Sequence, residues 1–80
     1  MSIDEIKNLF HAAPFQPFNI VLASGRRVLV DHPDFMALSR DGETVIVSEP
    51  DGTTHIDVPL IIELKMVKKN GSRKGKSRRS

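Results

Sequence analysis

Eighty residues without a single cysteine make one small domain that can contain neither a disulfide nor a thiolate zinc site. No run of about 18 apolar residues is present to span a membrane, and the opening "MSIDEIKNLF" places two acids before its first lysine, unlike a signal peptide, so a cytoplasmic location is expected. The net charge of +2 conceals a division: residues 1–67 hold five Lys and Arg against ten Asp and Glu, a net −5, whereas "KKNGSRKGKSRRS" at 68–80 holds seven cations and no acid, a net +7.

The first element is a helix over about residues 2–13. Ser2 and Glu5 stand at capping-box spacing, where hydroxyl and carboxylate each satisfy a backbone N–H that the first turn leaves orphaned. Ile3, Ile6, Phe10 and Ala13, with Leu9 beside them, form one apolar stripe. Pro14 disfavours a helical Ala13 and is expected to end the element, and "PFQPF" then runs extended because each proline restricts itself and the residue before it. Ile6, Phe10, Phe15 and Phe18 are expected to dock the helix on the strands.

From Phe18 the apolar period changes to two. Phe18, Ile20 and Leu22 alternate, "ASGR" turns, and Val28 and Val30 resume, the pattern of a hairpin. Asp31 to Asp34 interrupts, Phe35 to Leu38 resumes, "RDGE" turns, and "TVIVS" has the highest β-branched content of the chain. After "EPDGT", Ile56 and Val58 alternate with His55 and Asp57. Pro59 breaks this run, and Leu60, Ile62, Leu64 and Met66 alternate to the end of the foldable part. The expected architecture is mainly β (α+β): an N-terminal helix, then about five short antiparallel strands over about 18–67, in a strongly bent sheet or small barrel. Residues 68–80, rich in Gly and Ser and without an apolar side chain, are expected to form a disordered basic tail.

The stretch Asp31-His32-Pro33-Asp34 admits two readings. A histidine between carboxylates suits acid–base chemistry or metal ligation. Yet these residues are sequence neighbours, whereas active sites draw partners from separate elements, and His11 and His55 lie elsewhere without ligand spacing. The favoured reading is a sheet corner, in which His32 is extended because Pro33 follows it and Asp31 and Asp34 accept hydrogen bonds from nearby backbone N–H groups. His55 and Asp57 fall on the polar face of a strand, at least one of Arg26 and Arg27 is expected to face solvent, and the four Phe are expected in the core. Ser24 and Ser39 lack a nucleophile-elbow context, and phosphate-loop, dinucleotide and calcium-loop fingerprints are missing. The expectation is a non-enzyme with no catalytic residue, metal, cofactor or small-molecule substrate.

With Pro14-Phe15-Gln16-Pro17-Phe18, Gly25 and His32-Pro33 in view, residues 2–67 resemble a group of short bacterial proteins of no assigned activity, which open with a helix, pass through such a Pro-Phe junction into a strand and a Gly turn, and carry a His-Pro pair after the second strand. More loosely, Gly25, Asp34-Phe35-Met36 and the proline before the last strand look like the Sm-like and SH3-like small barrels. That likeness implies binding of RNA or protein segments, and for the Sm-like group a homo-oligomeric ring. Ala37 stands where the Sm pattern has Asn, and Val58-Pro59-Leu60 replaces its Arg-Gly pair, so no uridine-pocket residues carry over.

Function is therefore expected to be binding. The candidate contacts to RNA or DNA are Lys68, Lys69, Arg73, Lys74, Lys76, Arg78 and Arg79, which suit phosphates without base readout. Two alternatives remain open: a tail that only solubilises the chain, and a protein-interaction or homo-oligomeric assembly module.

Overall fold

The computed structural model describes residues 2–67, and the seven candidate tail cations lie outside the described residues. One helix, α1 (Ile3–Phe10), precedes six strands: β1 (Phe18–Leu22), β2 (Arg27–Val30), β3 (Met36–Leu38), β4 (Thr44–Glu49), β5 (Gly52–Asp57) and β6 (Ile61–Met66). Single 3₁₀ turns at Pro33–Phe35 and Val58–Leu60 precede β3 and β6. The strands form two antiparallel sheets of three, ordered β2-β1-β6 and β3-β4-β5, and among the described residues no ladder joins them. The mainly β, α+β character is as expected. The expected five strands are six, and a single bent sheet or closed barrel is replaced by two open sheets. The physical reason lies at the two 3₁₀ turns that contain Pro33 and Pro59, which bend the chain out of extended geometry where a continuous strand would carry one sheet into the next.

The capping box forms: Ser2 Oγ accepts from the Asp4 N–H at 3.2 Å, and Glu5 Oε1 accepts from the Ser2 N–H at 3.3 Å. The helix ends three residues earlier than Pro14 suggests. The His11 N–H closes the last turn on Lys7 O, and Ala13, assigned to the stripe, is exposed beyond the helix and joined to Pro14 by a cis peptide bond.

The core lies between the sheets and under the helix. Ile6 from α1, Phe18 and Ile20 from β1, Val28 and Val30 from β2, and Val45 and Val47 from β4 are all fully buried. Ile61, Met36, Ile56 and Val58 complete it. Phe10 and Phe15 are only partly buried against this cluster, Phe15 with its ring 5.9 Å from that of Phe18. Phe35 is not in the core.

The last strand departs from its simple alternation. Phe18 opposes Met66 and Ile20 opposes Leu64, but the register shifts between Val21 and Leu22, so Leu22 opposes Ile61. Ile62 is thus the extra residue of a β-bulge and is exposed, while Ile61 takes the buried place.

The β3–β4 turn is fixed by side chains. Gly42, at φ +74°, supplies the left-handed residue, and a Cβ there would rest 3.6 Å from Ile3. Ser39 Oγ donates to Asp41 Oδ1 at 2.6 Å and accepts from the Thr44 N–H at 2.9 Å, while Asp41 Oδ1 accepts from the Glu43 N–H at 3.0 Å. The Ser39 hydroxyl, followed by the Glu43 N–H, holds the Asp41 carboxyl below its ordinary range. The folded chain therefore binds this proton less tightly than the unfolded chain does. The resulting stabilisation is present above the unfolded carboxyl value, about 3.9, and is lost as pH falls through the lower folded value. Urea titrations of wild type and Asp41→Ala from pH 6 to pH 2 should show a stability gap that closes on acidification; a gap independent of pH would remove the carboxylate from this role.

Candidate binding groove

The corner between β2 and β3 builds the site. His32 is extended (φ −155°, ψ 141°) because Pro33 follows it, and its backbone carbonyl accepts from the Phe35 N–H at 3.1 Å to close the 3₁₀ turn. The cap is the imidazole: His32 Nδ1 accepts from the Asp34 N–H at 3.1 Å. The ring thereby satisfies a backbone donor that the 3₁₀ turn leaves without a backbone acceptor. The Asp34 side chain is 84% exposed, and its carboxylate lies 3.6 Å from the same Nδ1. The corner reading thus stands with the capping residue corrected. Of the two residue types, aspartate is the commoner cap, but the extended backbone before Pro33 folds the ring of His32 over the next free N–H.

His32→Ala should therefore cost about 0.5–1.5 kcal/mol, the net worth of one hydrogen bond, whereas Asp34→Ala should stay within about 0.5 kcal/mol, as surface changes do. Urea denaturation of both variants checks this ranking; the opposite order would return the capping role to the carboxylate.

Past the corner, Met36 and Leu38 of β3 face the core and Ala37 between them faces outward, while Phe35 is the last residue of the 3₁₀ turn that leads into the strand. The Phe35 ring is left 46% exposed. It stands between two shallow depressions. The larger, of about 310 Å³, is lined by Leu29 and Asp31 on β2 and its end, by Phe35, and by Ser48, Glu49 and Pro50 at the end of β4. The smaller, about 220 Å³, continues from Phe35 over the outer face of the second sheet past Ala37 and Ile46. Leu29 is 48% exposed, which leaves the larger groove with an apolar floor and acids at its rim.

One end of the groove is tied across the two sheets. Arg26, leaving the β1–β2 turn, donates to Glu49 Oε2 at 3.0 Å, and the Thr54 hydroxyl donates to the same oxygen. The Arg26 side chain is half exposed, so this ion pair contributes at most about 1 kcal/mol. Its geometric effect matters more, because it holds the end of β4 beside the start of β2.

Asp31 lines the larger depression and Asp34 the smaller one, the His32 ring lies 5.8 Å from that of Phe35, and His11 and His55 are exposed on other elements. Among the described residues no group of three or more His, Cys, Asp or Glu could hold a metal ion, and no helix is long and apolar enough to cross a membrane. Phe35, Leu29 and Pro50 were not legible as site residues individually. Compared against protein families, curated proteins and solved structures, the chain matches none.

Proposed function

We propose that this protein is a non-enzymatic binding module that engages single-stranded RNA or DNA through the phosphates, using Lys68, Lys69, Arg73, Lys74, Lys76, Arg78 and Arg79. The observation that carries the reading is the separation of charge along the chain, −5 over residues 1–67 and +7 over residues 68–80. Cations on one short segment displace condensed counterions without reading bases, so affinity is sequence-independent and falls with salt. The body repels the same phosphates and confines the contact to that segment.

Fluorescence anisotropy with a labelled oligonucleotide tests this. Wild type should bind at low salt, competitors of different sequence should displace the probe equally, and a full-length variant with all seven cations changed to Gln should not bind. A wild-type chain that shows no binding at low salt would overturn the proposal and leave a protein-interaction or homo-oligomeric assembly module in its place.

A further inference from the structure

We infer that the acid-rimmed groove beside Phe35 is the docking place of this chain's own basic segment, residues 68–80, bound in cis. Strand order supplies the first argument. Phe18 at the start of β1 opposes Val30 on one side and Met66 on the other, so β2 and β6 run in the same direction and end at the same edge of their sheet. The Val67 N–H still bonds Pro17 O at 3.2 Å, which fixes where the chain leaves the sheet. From there the end of β2 is two strand spacings away, about 10 Å. Thirteen further residues reach up to about 43 Å when extended.

Charge supplies the second argument. Asp31, which follows the end of β2 level with that exit, lines the groove; Asp34 lines the smaller depression that continues from Phe35, and Asp51 follows Pro50 at the β4–β5 turn. Glu49 is already paired with Arg26, and Arg27 sits two residues before Leu29, away from the corner. Asp41 and Glu43 belong to the β3–β4 turn, at the opposite end of β3 from the corner. Lysine and arginine also have long apolar stems, which suit the exposed faces of Leu29 and Phe35 while the charged heads meet the acids. The groove then competes with phosphates for the same cations, and this second consequence rests on the nucleic-acid reading above.

The chain has no cysteine, so Ser77→Cys in the full-length protein accepts a single nitroxide. In a ¹⁵N-labelled sample at low salt the amide signals of Asp31, Phe35, Ser48 and Asp51 should broaden, and they should recover in 1 M salt, where the screening length is about 3 Å. Asp31→Asn with Asp34→Asn should abolish the broadening; Asp57→Asn with Glu63→Gln, the same change of charge at exposed sites elsewhere, should not. A mixture of nitroxide-bearing unlabelled chains with ¹⁵N chains lacking the nitroxide should show none. Broadening in that mixture, no broadening at the groove, or equal broadening around Asp41 would each overturn the inference.

If nucleic acid binds, the groove variant should gain about twofold in affinity over the charge-matched control. This is the gain when about half the segments are docked, as for a contact whose dissociation constant equals a millimolar effective concentration. A wild type that fails to bind nucleic acid defeats the functional reading alone, because the nitroxide measurement decides docking independently.

Discussion

Phe18→Ala is expected to cost about 3–5 kcal/mol, the range for removing a fully buried aromatic ring. The ring is entirely enclosed, sits on the central strand of its sheet, opposes both Val30 and Met66, and packs against Phe15. A body of this size has a total stability of roughly 3–10 kcal/mol at 0.05–0.15 kcal/mol per residue, so the single change removes about 30% of it or more. Phe10→Ala should cost less, because that side chain is only partly buried. With neither Trp nor Tyr in the chain, urea unfolding followed by far-ultraviolet circular dichroism is the suitable measurement. A loss below about 1 kcal/mol at Phe18 would mean that the two sheets do not enclose this ring.

Affinity for single-stranded nucleic acid is expected to fall by up to about a thousandfold between 50 and 200 mM salt. Each phosphate contact on a single strand contributes about 0.7 to the negative log–log slope, so seven contacts give a slope near −5. Fewer engaged cations flatten the line in proportion, which lets the slope count them. Replacing Lys68 and Lys69 alone should reduce it by about 1.4 on the same basis. A slope unchanged by tail substitutions would place the contact on the body, whose net charge opposes it.

The helix start was legible because its signal is local: Ser2 and Glu5 are three residues apart and cap each other. Its end was not. Pro14 marks where a helix can no longer continue, but the chain leaves helical geometry already at His11 (φ −98°, ψ 5°). The inward faces of β1, β2 and β4 follow the two-residue period, whereas in β6 the same period misplaces Ile62. A bulge inserts one residue without changing the chain's composition, and only pairing with β1 reveals it. The corner at His32 was readable from the proline. Its cap was not, because residue-type preference pointed to aspartate while local geometry brought the imidazole to the N–H. The groove was least legible of all, since it joins residues 29–35 to residues 48–50 through the distance of the fold rather than along the chain.

The bulge at Ile62 also bears on how the outer border of the first sheet can meet a strand of another molecule. β6 is an outer strand, and Ile62 and Met66 are exposed on it, which is the surface that would template cross-β stacking of one molecule on the next. An incoming strand needs an unbroken row of donors and acceptors in constant register. The extra residue interrupts that row and increases the local twist, so growth of a fibril from this border is obstructed while the buried side of the same strand keeps Ile61 in the core.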